Sequence, residues 1–157
     1  MKRDNYYIKR NIQDIDKTNE LLECLPPFCE DYFLGIEQRT SCQTRLKYAY
    51  DLRIFFDFLC KRKYRKKDVL DLTLEDLEGV TNNDIEFFLS YLSHYRFNKK
   101  SLSCDERAKA RKLSAVRAMF KYFFNKGLIE VDNSSKVQTP KLHEKEIIRL
   151  EAEEVSK

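Results

Sequence analysis

The fold of this chain is decided by residues 103–127, SCDERAKARKLSAVRAMFKYFFNKG. On a helical wheel centred on Val116, one side collects apolar residues at i+3/i+4 spacing, namely Leu113, Phe120, Phe123 and Phe124. The opposite side, with Arg117 on its shoulder, collects cations and small residues, namely Arg107, Arg111, Ser114, Ala118 and Lys121. The pattern predicts one amphipathic helix, begun by a capping box of Ser103 and Glu106 and ended at Gly127.

The basic side of this helix predicts contact with a polyanion. Residues 99–126 contain nine basic residues and two acidic ones, and both acids, Asp105 and Glu106, lie in the first turn. A solvated helix face normally mixes the two signs. Small residues between cations let the backbone approach a surface while the long side chains reach sideways, which suits a DNA groove flanked by phosphates.

Charge is also segregated elsewhere along the 157 residues, although the net formal charge is only +4. Residues 61–67, KRKYRKK, hold six basic residues, and residues 68–86 hold seven acidic residues and no basic one. This distribution predicts a molecule with a positive side and a negative side, of which the positive side would attract polyanions.

The remaining segments predict an all-α class, a compact bundle of four to five helices. Pro27 suits the first turn of a helix, Thr40-Ser41 can cap another, and Thr73 and Thr81 suit the N-caps of two more. The helix after Ser41 is apolar on more than one side and should be central. We predict a hydrophilic loop at residues 98–101, an extended piece at 69–73 and no strand pair. The domain prediction is a loose N-terminal extension (1–25), a helical domain (26–133), and a linker followed by the start of another domain (134–157).

Several classes of function find no support in the sequence. Five cysteines without a CxxC motif, and two distant histidines, His94 and His143, predict reduced thiols, no metal site and no cofactor. No apolar run is long enough to span a membrane and no signal peptide is visible, so we expect a cytoplasmic protein. Tyr48, Tyr91 and Tyr122 fit packing positions, and no catalytic constellation stands out. We therefore expect no enzymatic activity from these residues alone.

Three segments resemble consecutive helices of one known family. Residues 44–59, TRLKYAYDLRIFFDFL, resemble the second helix of the core-binding domain of tyrosine recombinases, the integrases of phages and transposons. Residues 81–92, TNNDIEFFLSYL, are similar to its third helix, and residues 112–129, KLSAVRAMFKYFFNKGLI, to its fourth. The family often has Asn-Pro after the fourth helix, whereas this chain has Asn133-Ser134.

The resemblance implies a SAM-like helical domain that clamps duplex DNA with its second and fourth helices in the major groove. A separate catalytic domain, which in the family cuts DNA through a 3′-phosphotyrosyl bond, would follow, and residues 153–155 look like its first helix. The implied phosphate contacts are Lys47, Arg107, Arg111, Arg117 and Lys121. The implied contacts at the edges of the DNA groove are Gln43, Thr44 and Ser114. Lys141 lies where the family's interdomain linker runs.

Two other functions stay open at this point. A basic helical bundle also suits a protein-interaction module with an acidic partner, and a small helix-turn-helix repressor would need a short recognition helix and a dimer surface. The discriminating feature is the placement of residues 41–47 and of the 107–121 face: a shared side favours DNA and divergence favours a protein partner. Because family members exchange segments of their catalytic domains, we expect this fragment to be monomeric without DNA and the full-length protein to assemble on DNA.

Overall fold

Six α-helices and one β-hairpin form residues 2–141, the part of the chain that the computed structural model describes, with side chains from residue 5 onward. The helices are α1 (Lys2–Leu22), α2 (Phe28–Ile36), α3 (Cys42–Arg62), α4 (Leu74–Glu78), α5 (Asn82–Tyr91) and α6 (Glu106–Asn125). The strands are β1 (Tyr95–Phe97) and β2 (Lys100–Leu102), and short 3-10 helices cover Val69–Asp71 and Asn133–Lys136. The predicted all-α class is confirmed. The prediction for residues 153–155 and the mention of His143 lie outside the described residues.

The core is built around α3, which is buried on more than one side. Phe55, Phe56 and Phe58 follow closely in sequence, and all three are buried. Phe56 packs edge-on against Phe28 of α2 with ring centroids 5.7 Å apart, and Phe55 packs edge-on against Phe88 of α5 at 5.1 Å. Successive residues on a helix point in different directions, so neighbours on several sides are needed to bury them. The prediction that α3 is central is confirmed.

Side-chain caps fix where most helices begin and end. Ser41, Thr73 and Thr81 each accept a hydrogen bond from the backbone N–H three residues later, as their positions predicted. Gly127 follows the C-cap of α6 with a φ of 74°, a left-handed conformation that glycine adopts without strain.

The predicted start of α6 is wrong by two residues. Its N-cap is Asp105, whose Oδ1 accepts a hydrogen bond from the Ala108 N–H at 2.8 Å. Ser103 lies before the helix because the next residue, Cys104, donates its backbone N–H to the Leu92 carbonyl at 2.8 Å. That bond ties residues 103–104 to the end of α5 and delays the first turn.

The N-terminal residues form one continuous helix, so the prediction of a loose segment ending in a short helix is wrong. α1 runs for 21 residues and packs against α3. Its second half anchors it, because Thr18 and Leu21 are buried there and Leu25 is buried just beyond its end. The first half leaves apolar side chains such as Ile12 exposed. The N-terminal segment contains few apolar residues, so their helical spacing is a weak signal in the sequence.

The predicted loop at residues 98–101 belongs to a β-hairpin instead. Asn98 and Lys99 have φ values of 51° and 66°, and two consecutive positive values are the requirement of a type I′ turn. Tyr95 pairs with Leu102 across the two strands. The signal was weak because lysine occupies the second turn position, where glycine usually marks this turn. The piece predicted as extended at residues 69–73 also differs, since it begins with a 3-10 helix over Val69–Asp71.

The basic run at residues 61–67 and the acidic stretch that follows it lie against each other, so the prediction of two oppositely charged sides is wrong for this pair. Lys63 Nζ is 2.9 Å from Asp84 Oδ2, and Lys67 Nζ is 2.6 Å from Asp76 Oδ2. Burial by itself would raise the pKa of both carboxyls, but the cap amides and the lysines outweigh it and lower each pKa below its usual value. The run therefore has less uncompensated charge than its composition suggests.

Candidate nucleic-acid interface

The outer face of α6 carries the cations that the helical wheel assigned to it. Arg107, Arg111, Ser114 and Lys121 are exposed, while Val116 on the opposite side is fully buried. The helical-wheel prediction is wrong for one residue at the edge of the apolar side: Phe124 was predicted to be buried and is 45% exposed. Eight residues from Val116, Phe124 is rotated about 80° from it, toward the side of the helix on which the exposed Lys121 lies.

The first half of α3 packs beside α6. Lys112 Nζ of α6 is 2.8 Å from Asp51 Oδ1 of α3, and the two side chains are only 16% and 17% exposed. An ion pair this sheltered from water is held in one geometry and fixes the two helices against each other. Lys112 thus serves the packing of the domain, while its neighbour Arg111 stays exposed.

Further along the two helices, a groove opens between them and the end of α2. Its volume is about 480 Å³. The residues that line it are Tyr32, Ile36, Arg39, Thr40, Tyr48, Ala118, Lys121, Tyr122, Asn125 and Lys126. The lining combines aromatic rings with three cations, because α2 and α3 meet α6 where its apolar side gives way to its basic side.

Tyrosines form the buried wall of this groove. The rings of Tyr32 and Tyr122 pack edge-on with centroids 5.3 Å apart, and the Tyr122 hydroxyl donates to the Asp31 carbonyl at 3.2 Å. Tyr122 fits closely over α2 because Gly35 has no side chain there, and a Cβ at Gly35 would overlap its ring. Burial, with smaller contributions from Tyr48 and Cys29, raises the pKa of Tyr32, so its phenol stays neutral. Among the described atoms, its hydroxyl has no hydrogen-bond partner.

The predicted residues of α3 lie in the first two turns of that helix, before the groove-lining Tyr48. Gln43 and Lys47 are exposed in the first two turns of the helix. Thr44 lies one helical turn before Tyr48, and its Oγ1 accepts a hydrogen bond from the Ser41 hydroxyl at 2.9 Å. Tyr48 of α3 and Lys121 at the end of the basic face of α6 line the same groove.

Arg117 and Lys141 are not brought to the groove. Arg117 Nη1 donates to Thr139 Oγ1 at 2.7 Å, and its Nε donates to the Ser134 carbonyl at 3.3 Å. These bonds hold residues 134–139 against the shoulder of α6, close to the buried Val137. Lys141 is exposed at the end of this segment, in a separate surface depression with Glu86 and Leu89 of α5. The structure therefore divides the predicted cations between two places.

Four polar groove residues were missed in the sequence. Arg39 and Thr40 come from the turn between α2 and α3, Asn125 is the last residue of α6, and Lys126 is its C-cap. Only Lys126 carried a signal, since it belongs to the excess of basic residues between 99 and 126. The turn is itself braced by Arg45, whose Nη1 donates to the carbonyls of Thr40 and Glu37 at 2.6 and 2.8 Å.

The described residues offer little for other chemistry. No group of three or more His, Cys, Asp or Glu side chains within residues 2–141 could hold a metal ion. Burial raises the pKa of Tyr64 and of Tyr95 to about 12, which is expected of packing residues rather than nucleophiles. His94 is exposed near the end of α5. Within the same residues, no helix has the length and apolar character needed to cross a bilayer.

Several known proteins are similar in sequence to this chain over most of its length. Tyrosine recombinase XerC of Caldanaerobacter subterraneus subsp. tengcongensis is 31% identical across 84% of this chain. Tyrosine recombinase XerC of Leptospira interrogans and tyrosine recombinase XerS of Streptococcus mutans are each 27% identical, across 79% and 76% of the chain. The chain spans only 39%, 38% and 34% of the length of these three relatives. No family model and no solved structure matches it.

Proposed function

The chain belongs to the tyrosine recombinase family, and we propose that it is a DNA-clamping domain that binds duplex DNA through α3 and α6. The observation that carries the proposal is the shared groove: Tyr48 of α3 lines it together with Ala118 and Lys121 of α6. Had these elements diverged, the basic face of α6 would favour an acidic protein partner instead. The proposed domain covers residues 26–133.

In this proposal the exposed cations provide affinity for the phosphates, and the polar side chains contact the edges of the DNA groove. Phosphates on either side of a DNA groove are neutralised by Arg107, Arg111, Lys121 and Lys47. Arg117 contributes from the shoulder of α6. Contacts to the groove edges come from Ser114, Gln43 and Thr44, and Lys141 contacts the backbone further along the duplex. Ala118 lies between cations on α6, so the helix can approach the DNA closely there.

We further propose that the full-length protein is a tyrosine recombinase, which cleaves and rejoins DNA strands. In this proposal the described helices hold the DNA, and the catalytic residues lie in a part of the protein outside these 157 residues. The support is the family membership together with the length of the relatives, of which this chain covers less than two-fifths. Such a protein works in the bacterial cytoplasm or comes from a mobile element.

Titration of a fluorescent duplex of about 30 base pairs tests the proposal, because each neutralised phosphate adds about −0.9 to the slope of log K against log salt concentration. With about five phosphate contacts, the expected slope is about −4 to −5. Replacing Arg111 and Lys121 together by alanine should reduce the slope to about −3 and weaken binding at least about tenfold at low salt. Both residues are exposed, so the variant should fold as well as the wild type.

A charge-matched control comes from the other end of α3. Arg65 and Lys66 are exposed in the basic run, beyond the C-terminus of the helix, and α3 is 21 residues long, about 30 Å. Replacing both by alanine removes the same charge and should leave the affinity within about twofold. Equal losses in the two variants would indicate unspecific attraction to net charge. A duplex affinity that Arg111→Ala plus Lys121→Ala leaves unchanged would refute the proposal and favour a protein-interaction module.

A further inference from the structure

The first half of α1 carries an apolar stripe that the fold does not bury. Ile8, Ile12 and Ile15 follow each other at spacings of four and three residues, and they are 57%, 53% and 42% exposed. The face that packs on the core adjoins this stripe and is marked by the buried Thr18 and Leu21. Three exposed isoleucines on one helical face are unusual for a protein that works alone in water.

The stripe continues into a groove between α1 and α2. This groove has a volume of about 550 Å³, and Ile15, Asn19 and Leu22 form its α1 side. Across from them lies Leu34 of α2, which is 71% exposed. The exposed stripe and the groove therefore form one continuous surface along α1, which is apolar along the isoleucines and mixed in the groove.

The spacing along α1 is that of a coiled-coil seam. The residues that share the stripe alternate at three and four positions, namely Asn5, Ile8, Ile12, Ile15, Asn19 and Leu22. Alternating spacings of three and four residues let one helix pack along a second helix through a continuous seam. With 21 residues, α1 offers a seam about 30 Å long.

The charges of α1 select an antiparallel copy of the same helix. Residues 5–13 contain two basic residues and no acid, whereas residues 14–23 contain four acids and one base. The groove beside the acidic half adds Glu30 and Glu37 of α2. A parallel copy would place like charges together, but an antiparallel copy places the basic half of each helix against the acidic half of the other. We propose that α1 is a self-association surface, on which a second copy of this chain packs its own α1 in antiparallel orientation.

One pair of charges flanks the seam on both sides. Lys9 and Asp16 each follow a seam isoleucine directly in sequence, and both are exposed. In the antiparallel pair, Lys9 of each protomer lies beside Asp16 of the other. Within one helix the two residues are seven positions apart, about 10 Å, which is too far for an ion pair. The groove beside α1 shares no lining residue with the groove between α3 and α6, and this inference does not depend on DNA binding.

Sedimentation equilibrium of the purified chain tests the proposal. The expected result is a mass that rises from 18.9 kDa toward twice that value with increasing concentration, with a Kd of about 10–100 µM for a small interface. Ile12→Glu should weaken the dimer more than about tenfold, because it places a charge in the seam of both protomers. Gln13→Glu is the matched control: it adds the same charge to the next, exposed position and should change the Kd less than about threefold.

A charge exchange tests the orientation. Lys9→Glu alone and Asp16→Lys alone should each weaken the dimer, and the double variant should recover the wild-type Kd because the pairs between protomers are restored. A chain that stays at 18.9 kDa up to about 500 µM overturns the proposal and assigns the stripe to a different partner. A dimer that Ile12→Glu leaves intact also overturns the proposal. A double variant that does not recover the wild-type Kd overturns the antiparallel arrangement. The expectation of a monomer rested on catalytic-domain exchange alone and took no account of this helix.

Discussion

Gly35 is the position where a single added carbon atom tests the packing of the groove between α2, α3 and α6. A Cβ there would overlap the ring and the hydroxyl of Tyr122. That ring packs edge-on against Tyr32, and its hydroxyl donates to the Asp31 carbonyl. Gly35→Ala must therefore displace Tyr122 and disturb both contacts, although the backbone of α2 itself would accept alanine.

The expected cost of Gly35→Ala is about 2 kcal/mol. Overpacking a well-filled site costs about 1–3 kcal/mol, and loss of the hydrogen bond from Tyr122 adds about 1 kcal/mol. The higher helix propensity of alanine offsets about 1 kcal/mol of this. For a chain of this size, a loss of about 2 kcal/mol lowers the Tm by about 4–8 °C.

A double-mutant cycle in urea, followed by far-UV circular dichroism, isolates the contact between the two residues. Tyr122→Ala removes the obstacle, so in that background Gly35→Ala should stabilise the protein by about 0.5–1 kcal/mol. The sign of the effect of Gly35→Ala thus reverses between the two backgrounds. If it costs the same stability in both, the reasoning is refuted, because the strain then does not come from Tyr122.

Three further predictions concern charges and backbone conformation. Replacing Asp76 and Asp84 by asparagine removes two carboxyls whose pKa is lowered in the folded state. The stabilisation that they provide is present above the unfolded-state pKa of about 3.9, and it is lost as the pH falls through their lower folded-state pKa values. Urea midpoints should therefore fall more steeply for the wild type than for the variant between about pH 5 and pH 2, and parallel profiles would contradict this. Lys112→Ala should cost about 2 kcal/mol in urea unfolding because it leaves the sheltered carboxylate of Asp51 unpaired, and adding Asp51→Ala should recover part of that loss; simple additivity would argue against the ion pair. Gly127→Ala should lower stability by about 1 kcal/mol through its positive φ alone, since the surrounding space is open, and Gly127→Asn should cost less in the same thermal unfolding assay.

The exposed face of α6 could be predicted from the sequence, because the helical period alone determines which residues share a side. Arg111, Ser114 and Lys121 lie where the wheel placed them. The period does not tell which cations have partners in the folded chain. Arg117 stands on the same helix, but its guanidinium is engaged by the segment around Ser134. That segment follows α6 by a turn whose direction no local pattern specifies.

The groove could not be predicted at all, because its parts come from three separate stretches of sequence. Arg39 precedes the N-cap of α3, Tyr48 lies within α3, and Lys126 caps α6. Each is unremarkable in its own segment. Their meeting depends on the close approach of Tyr122 to Gly35, which is a property of how α2 packs on α6.

The helical class and most of the caps follow from the residues alone, since they depend on positions three or four apart, and the family was recognised from the resemblance of three segments to its consecutive helices. Which charges remain available depends on how the helices pack. Lys63 pairs with Asp84, 21 residues away, and Lys112 pairs with Asp51, 61 residues away. Helical periodicity is local and can be read from neighbouring letters. Ion pairing depends on distance in space, which is known only when the helices are packed.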